Sequence, residues 1–514
     1  MLKQLWRRSI VLALLLVALC CPARASHATS GIFTRPASLG DDRSVIQELS
    51  SLAGNVTCVQ VVGARVYAGG PDGLLIADVS NLAAPSQLGS YPGAVIALHV
   101  VGSIAHLAGP DGLRIVDVTD AAHPVLRSSY YLPLRGETFS QSASRVQVVG
   151  NDAFVIFQQT VAGIPPYRSE LAIVDVRDQS NPALRERVDL GPSFNDLALV
   201  DGYAYIGGTT DVGGATGRFF SAYLSVLDVR DPAHPTPVGR YQSAEVLAQN
   251  STGALAVADD VAYLGLTNGP ALYTLDVRNR NNPTLLGSLP PSAGPAFTAK
   301  DLRVADQFAY VAGSPVGLAI LDIRNPAAPA LRTSTNLPGT SYAVDVAGDI
   351  MYVAAGDAGL RLARFIPRTA AAIPTGGGTL EATVGRVAYH IPPGAFADTV
   401  AMTHTLRIAN DLPPAPMLTR IGLAFEITAS YSATGQLAQP TLPITIAVRY
   451  TDSERVPATA GSPALYYLDS GVWAKQTTST LDQTGRTVTA TSPRLGIWAL
   501  MGEAKRALLP AMRR

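Results

Sequence analysis

Six aspartates occupy the same place in six copies of one short strand: Asp78, Asp117, Asp175, Asp228, Asp276 and Asp322. Carboxylates repeated in this way could ligate a metal ion or work as paired acid and base. The surrounding spacing argues for something else. Each Asp is followed after seven residues by a proline: Pro85, Pro124, Pro182, Pro235, Pro283 and Pro329. Three residues after each Asp stands Asn81, Asp120, Asp178, Asp231, Asn279 or Asn325. An Asp at a strand end, then Asn or Asp, then Pro, reads as a tight turn whose N–H groups need acceptors. Asx-type bonds explain both columns without a ligand. The twelve Asp and Pro residues define a structural repeat.

Other reactive side chains are sparse. His99 and His106 share one hairpin, but no carboxylate or third ligand lies at a metal-site spacing. His123 and His234 precede turn prolines, where other copies carry Ala or Asn, and read as tolerated surface residues. The chain contains no Gly-x-Ser-x-Gly, His-Glu-x-x-His, phosphate loop or EF-hand loop. No catalytic residue, metal or cofactor is expected.

The elements that carry these residues repeat as well. Leu74-Leu75-Ile76-Ala77-Asp78-Val79 recurs as Leu113-Arg114-Ile115-Val116-Asp117-Val118 and Leu171-Ala172-Ile173-Val174-Asp175-Val176, and again from Leu224, Leu272 and Leu318. A seventh copy, Leu360-Arg361-Leu362-Ala363-Arg364-Phe365, lacks the Asp and the Pro. A ring precedes each copy: Tyr67, His106, Phe154, Tyr205, Tyr263, Tyr310 and Tyr352. Seven equivalent rings mean packing between repeats. Each unit of 40–50 residues reads as four short strands, and near-continuous apolar strands imply a sheet covered on both faces. The seventh unit ends after its third strand. Segment 44–52 supplies the missing one, because aligning Gly54 with Gly93 sets Leu49 and Leu52 on Leu88 and Tyr91. The expected fold is all-β: a seven-bladed β-propeller of four-stranded blades over 43–366, its last blade closed by an N-terminal strand.

Departures from the repeat mark a candidate binding region. From ring to strand Asp the spacing is 11, 11, 21, 23, 13 and 12 residues in units one to six. Units three and four therefore carry insertions between second and third strands, and the connection entering unit three is also long. In a four-stranded meander these loops leave on one face. Loops 132–142, 158–169 and 209–223 would then share one sector, carrying Arg135, Tyr167, Arg168, Arg218, Phe219, Phe220 and Tyr223. Arg and aromatic residues are the types enriched at interface hot spots.

The remaining segments set compartment and domain order. Basic Met1–Arg8, an apolar run over 10–21 and Ala23-Arg24-Ala25 form a secretory signal pattern over 1–25, too short to span a ~30 Å hydrocarbon core. Cleavage after Ala25 is expected rather than lipidation at Cys20 or Cys21. Cys58 then remains alone, which excludes an internal disulfide. Residues 26–42 read as a flexible lead-in. The chain is 47% hydrophobic and 15% charged, with 39 basic and 39 acidic groups. Losing Lys3, Arg7, Arg8 and Arg24 leaves 35 against 39, a net charge of −4, which carries no nucleic-acid footprint. After a Pro/Ala-rich linker at 367–375, eight alternating strands over 376–502 read as a β-sandwich, followed by a basic tail at 503–514.

The Leu-x-Ile-Val-Asp strands with their Asp…Pro spacing resemble the LVIVD-repeat family, which implies a β-propeller on exported bacterial or archaeal proteins. Ile391-Pro392-Pro393-Gly394-Ala395-Phe396 and the closing Gly496-Ile497-Trp498-Ala499-Leu500 resemble ZU5-like domains. The self-cleavage site of some ZU5 proteins is replaced here by Arg494-Leu495-Gly496, without a nucleophile. The expectation is a non-catalytic secreted or cell-surface protein with an unknown protein or glycan partner, and no transmembrane segment in the mature chain. The competing reading is a propeller hydrolase or lyase with its site at the central channel mouth.

Overall fold

The computed structural model describes residues 44–134, 138–161, 168–192, 194–211, 220–244, 253–266, 272–290, 298–305, 307–314, 317–382, 386–407, 412–450, 458, 462–484 and 486–504. The candidate leader and lead-in lie outside them, as does the basic tail beyond Ala504. Every regular element described is a β-strand. Seven sheets have four strands each, in meander order: β2–β5 (58–92), β6–β9 (97–130), β10–β13 (138–192), β14–β17 (194–242), β18–β21 (255–289), β22–β25 (298–335), and β26–β28 (343–366) joined by β1 (Val45–Leu52).

First strands of successive sheets touch one another in cyclic order, and the last returns to β2 (Cys58–Val62). The fold is a β-propeller. Its apolar side chains fill the space between sheets, not a central core. Tyr67, Leu74 and Ile76 of the first sheet pack on Val95, Leu107 and Val116 of the second. Val59, Val66 and Ala68 pack on Tyr352, Leu360 and Leu362 of the last, which completes the circle. All seven repeat rings are 1–4% exposed, each facing a first-strand residue.

The last sheet takes its outer strand from the N-terminal side. β1 runs antiparallel to β28 (Leu360–Ile366), pairing Leu52 with Leu360 and Val45 with Ile366. A bulge recurs where third and fourth strands pair, between Ile76 and Ala77, Ile115 and Val116, Ile173 and Val174, and at the matching place in the next three sheets. In the closing sheet the same irregularity falls between Glu48 and Ser50, opposite Ala363 and Leu362. The bulge turns the outer strand against the neighbouring sheet.

Two further sheets follow. The expected linker at 367–375 is instead largely strand: β29 (Arg368–Ile373) pairs along its length with β32 (Val400–Arg407). Thr369 and Ile373 are strand formers, but the three alanines between them and the flanking prolines disguise the strand. The six-stranded sheet runs β29-β32-β33 (Leu418–Tyr431)-β39 (Gly496–Glu503)-β35 (Ala464–Asp469)-β36 (Val472–Lys475) and the five-stranded one β30 (Gly378–Ala382)-β31 (Val387–Ile391)-β34 (Ile444–Arg449)-β38 (Thr487–Ser492)-β37 (Thr480–Asp482). Two short strands not foreseen, β36 (Val472–Lys475) and β37 (Thr480–Asp482), lie at their edges. Tyr389 and Ile446 of one sheet share a buried core with Phe425 and Trp498 of the other. Inside it, Tyr389 Oη and His404 Nδ1 are hydrogen-bonded at 2.6 Å. Burial lowers His404 to about 3, so its ring is neutral.

Candidate functional site

The repeated aspartates sit where third strands end. Each accepts, through Oδ1, the main-chain N–H two residues on: Ser80, Thr119, Arg177, Arg230, Arg278 and Arg324, at 2.7–3.1 Å. The second column repeats the motif three residues later. Asn81, Asp120, Asp178, Asp231, Asn279 and Asn325 each cap an N–H two residues ahead at 3.0–3.2 Å. In four copies the Asp also pairs with the Arg whose N–H it caps. These bonds hold Asp175 and Asp228 at about 2, chiefly through Arg177 and Arg230, and Asp117 likewise, chiefly through Thr119. Carboxylates so committed are acceptors for turns. His123 and His234, 83% and 81% exposed, lie 2.9 Å from Asp120 and Asp231 within the same turns.

The axis holds a second polar constellation, and its sequence signal is weak because its members differ from sheet to sheet. Gln60 faces Tyr67, His99 faces His106, Gln147 faces Phe154, Arg303 faces Tyr310 and Asp345 faces Tyr352. One residue pair toward the strand start lie Cys58, Arg145, Asp196 and Asp301. Most of them reach the first strand of the next sheet. Gln60 Oε1 accepts Val100 N–H at 2.7 Å, His99 Nδ1 accepts Val148 N–H at 3.0 Å, and Gln147 Oε1 accepts Leu199 N–H at 2.9 Å. Asp196 accepts Leu255 N–H at 2.7 Å, Asp301 accepts Val344 N–H at 3.0 Å, and Asp345 accepts Val61 N–H at 2.7 Å. Six of the seven neighbour contacts are thus bridged by a side chain. The remaining one, between the fifth and sixth sheets, has Ala256 in the Gln60 column.

Two guanidinium groups balance three carboxylates there. Arg145 lies 3.0 Å from Asp196, and Arg303 lies 3.0 Å from Asp301 and 3.7 Å from Asp345. Burial raises the Asp301 carboxyl, with Arg303 opposing it. His99 is lowered by burial and by Arg303, and His106 falls to about 4 through burial. A neutral His99 is what its accepting Nδ1 requires. Each axial carboxylate is therefore occupied by a neighbour's N–H and an arginine. Among the described residues no group of three or more His, Cys, Asp or Glu is arranged to hold a metal ion.

The region entering and crossing the third and fourth sheets departs from the repeat as a raised structure. β11 (Asp152–Val161) has ten residues and β15 (Tyr203–Asp211) nine, against six for β3 (Arg65–Gly70). Pairing continues to Gln159 with Arg168 and to Asp211 with Phe220. β10 (Thr138–Val149) extends alongside, with Thr138 opposite Val161. The insertions thus begin as prolonged hairpins, since alternating residues such as Gln158, Thr160 and Ser169 continue the strand period.

A buried polar cluster supports this region. Glu170, 1% exposed, accepts Gln159 Nε2 at 2.8 Å and pairs with Arg187, whose Nη1 donates to Pro133 O at 2.8 Å. Gln158 Nε2 donates to Phe194 O at 2.6 Å. The sequence reading missed Glu170, Arg187 and Gln159; a charged pair at inward strand positions was the available signal. Of the candidate residues, Arg168 pairs with Asp189 and remains 46% exposed. Tyr223 is half-buried and meets Phe194 edge to face, ring centroids 5.4 Å apart. Phe220 opens β16 (Phe220–Asp228), and its side chain is not among those described. Arg135, Tyr167, Arg218 and Phe219 lie outside the described residues.

Comparison with known proteins gives one family match. The LVIVD repeat model matches residues 53–93, 92–131, 141–190, 218–243 and 298–336. The copies at Leu272 and Leu360 fall outside these matches. No curated protein matches the chain. Among solved structures, the WD40 β-propeller domain of Doa1 is 11% identical with a TM-score of 0.43, covering 62% of this chain and 97% of that one. BamB from Moraxella catarrhalis is 15% identical with a TM-score of 0.41, covering 62% and 97%. The computationally designed Ika8 protein is 13% identical with a TM-score of 0.41, covering 62% and 99%. The propeller assignment rests on the LVIVD repeats together with the cyclic four-stranded sheets. No helix among the described residues is long and apolar enough to cross a membrane.

Proposed function

We infer that the chain is an exported, non-catalytic interaction protein. Its LVIVD repeats would form a seven-bladed β-propeller that presents the raised sector of blades three and four to a protein or glycan. The C-terminal pair of sheets would be a ZU5-like β-sandwich serving as spacer or docking module. The observation that carries this reading is the prolongation of β10, β11 and β15 in adjacent blades, underpinned by the Glu170–Arg187 pair. Regular hairpins restrict the conformations available to the loops they carry, so side chains at their tips would lose less freedom on binding than those of slack loops. Export rests on the leader pattern of residues 1–25. The reading is tested by immobilising the chain, capturing exported proteins and glycans, and replacing Tyr167, Phe219 and Phe220 together by Ala. The expected result is loss of capture with the melting temperature nearly unchanged. Undiminished capture by the triple variant rejects the sector. A large fall in melting temperature would show instead that these rings pack on the blades.

A further inference from the structure

A cleft of about 510 Å³ opens where blades six and seven meet the six-stranded sheet. That volume suits a small ligand. Its walls carry five arginines, Arg324, Arg332, Arg368, Arg386 and Arg407, against two carboxylates, Asp322 and Asp349. Both carboxylates already have partners: Asp322 pairs with Arg324, and Asp349 with Arg364 at 3.0 Å. Arg407 pairs with Glu426 outside the cleft lining. Among the described residues Arg332 and Arg368 form no ion pair.

These two guanidinium groups come from opposite walls, Arg332 from the propeller and Arg368 from β29. One buried hydroxyl fixes the bases of both. Ser44, 2% exposed, accepts Arg332 Nε at 2.8 Å and the Arg368 main-chain N–H at 3.1 Å. Three buried atoms in the same lining make no hydrogen bond among the described residues: the Arg368 Nε donor, the Gln307 Oε1 acceptor and Asp349 Oδ2, which is ion-paired with Arg364 but not hydrogen-bonded. Buried polar atoms are nearly always paired, so an orphan donor beside uncompensated positive charge points toward an acceptor from outside the chain. Phe308, Leu406 and Leu423 supply apolar wall between the charged groups.

We propose that this cleft binds a small multivalent anion bearing carboxylate or phosphate groups, held across the two walls by Arg332 and Arg368 with Arg386 at its edge. Guanidinium forks match both oxyanions in bidentate geometry, so the two sources share one chemistry. A carboxylate arrives on an acidic metabolite or uronic sugar; a phosphate arrives on a phosphorylated metabolite. The site lies apart from the raised sector and does not depend on it.

The test is calorimetric titration of the full chain with citrate and, separately, with pyrophosphate, at fixed ionic strength. The variants are Arg368→Gln and Arg386→Gln, with Arg494→Gln as a control outside the cleft. Saturable binding of at least one probe is expected, with Kd raised tenfold or more in Arg368→Gln and unchanged in Arg494→Gln. Citrate alone would assign a carboxylate ligand, pyrophosphate alone a phosphate one. If Arg368→Gln does not fold, Arg386→Gln carries the test, with several-fold weakening expected. Absence of saturable binding by either probe overturns the proposal. So does equal binding by the cleft variants and the parent chain.

Discussion

Asp196 shows how much one axial side chain does. Its carboxylate accepts the N–H of Leu255 at 2.7 Å and Arg145 Nε at 3.0 Å, tying blades three, four and five together. Leu255 is 3% exposed, so its N–H has no water to fall back on. Asp196→Ala should therefore cost about 2–3 kcal/mol in urea denaturation, the scale for a buried donor left without an acceptor. The Arg145 side chain is 30% exposed and adds little to that figure, because solvent screens it. Asp196→Asn keeps a carbonyl oxygen for Leu255 and should lose only about 1 kcal/mol. An alanine variant as stable as the parent would show that the bond to Leu255 contributes nothing. None of this was legible in the chain. The turn aspartates recur at fixed spacing, so their role can be read from the repeat. The axial acceptors are Gln, His, Gln, Asp, Asp and Asp, spread over two neighbouring columns of the first strands, so neither residue type nor spacing repeats.

At the scale of the strand, the closing element was legible because its pattern copies another. Leu49 and Leu52 match Leu88 and Tyr91 in phase, and β1 pairs as that phase requires: Leu52 lies opposite Leu360 as Tyr91 lies opposite Leu74. Even the bulge is reproduced, with Leu49 and Leu88 both skipped in the ladder. Less visible is why Gly89 and Ser50 share one column. A Cβ on Gly89 would stand 2.0 Å from Ala121 O in the next blade's turn, while Ser50 Oγ donates to Leu82 O at 2.6 Å. Either residue lets the outer strand rest on the neighbouring turn, so the column tolerates small or hydrogen-bonding side chains and shows no fixed letter. Strand β29 escaped the reading for the opposite reason: prolines at 367 and 374 bracket it and suggest a linker. Deleting residues 44–52 should expose the edge of β28 and unpack Ile46, Leu49 and Leu52 from the last blade interface. The expected outcome is a broad, early thermal transition for the propeller as a whole. A deletion variant that melts like the parent would mean that β1 is an appendage.

The whole ring can be interrogated through one atom. Cys58 stands on β2 in the axial layer, and it is the chain's only cysteine after residue 21. Burial pushes its thiol up to about 12, with Gly69 N–H and Arg145 opposing and Asp301 adding to the rise. Relative to a thiol near 9, that leaves about a thousandfold less thiolate at neutral pH, and the thiolate is the reactive form. A more basic thiolate is also a better nucleophile, with a Brønsted slope of about 0.4–0.5, so the net slowing should be roughly 50-fold. In a chain beginning at residue 26, labelling by a soluble disulfide reagent should therefore be tens of times slower in the native state than in urea. The rate should rise where the ring opens, because Cys58, half-buried in the native state, stands on a first strand that packs against those of the neighbouring sheets. The chain lacking residues 44–52 then makes a sharp comparison. If closure by β1 holds the circle, Cys58 in that variant should label near the unfolded rate without denaturant. Native-rate labelling in the deletion variant would show that the other four-stranded sheets keep the axis shut unaided. Fast labelling in the intact chain would show that the axial thiol sits in bulk-like water, and the account of the charged layer around Arg145, Asp196 and Asp301 as a tightly bonded girdle would fail with it.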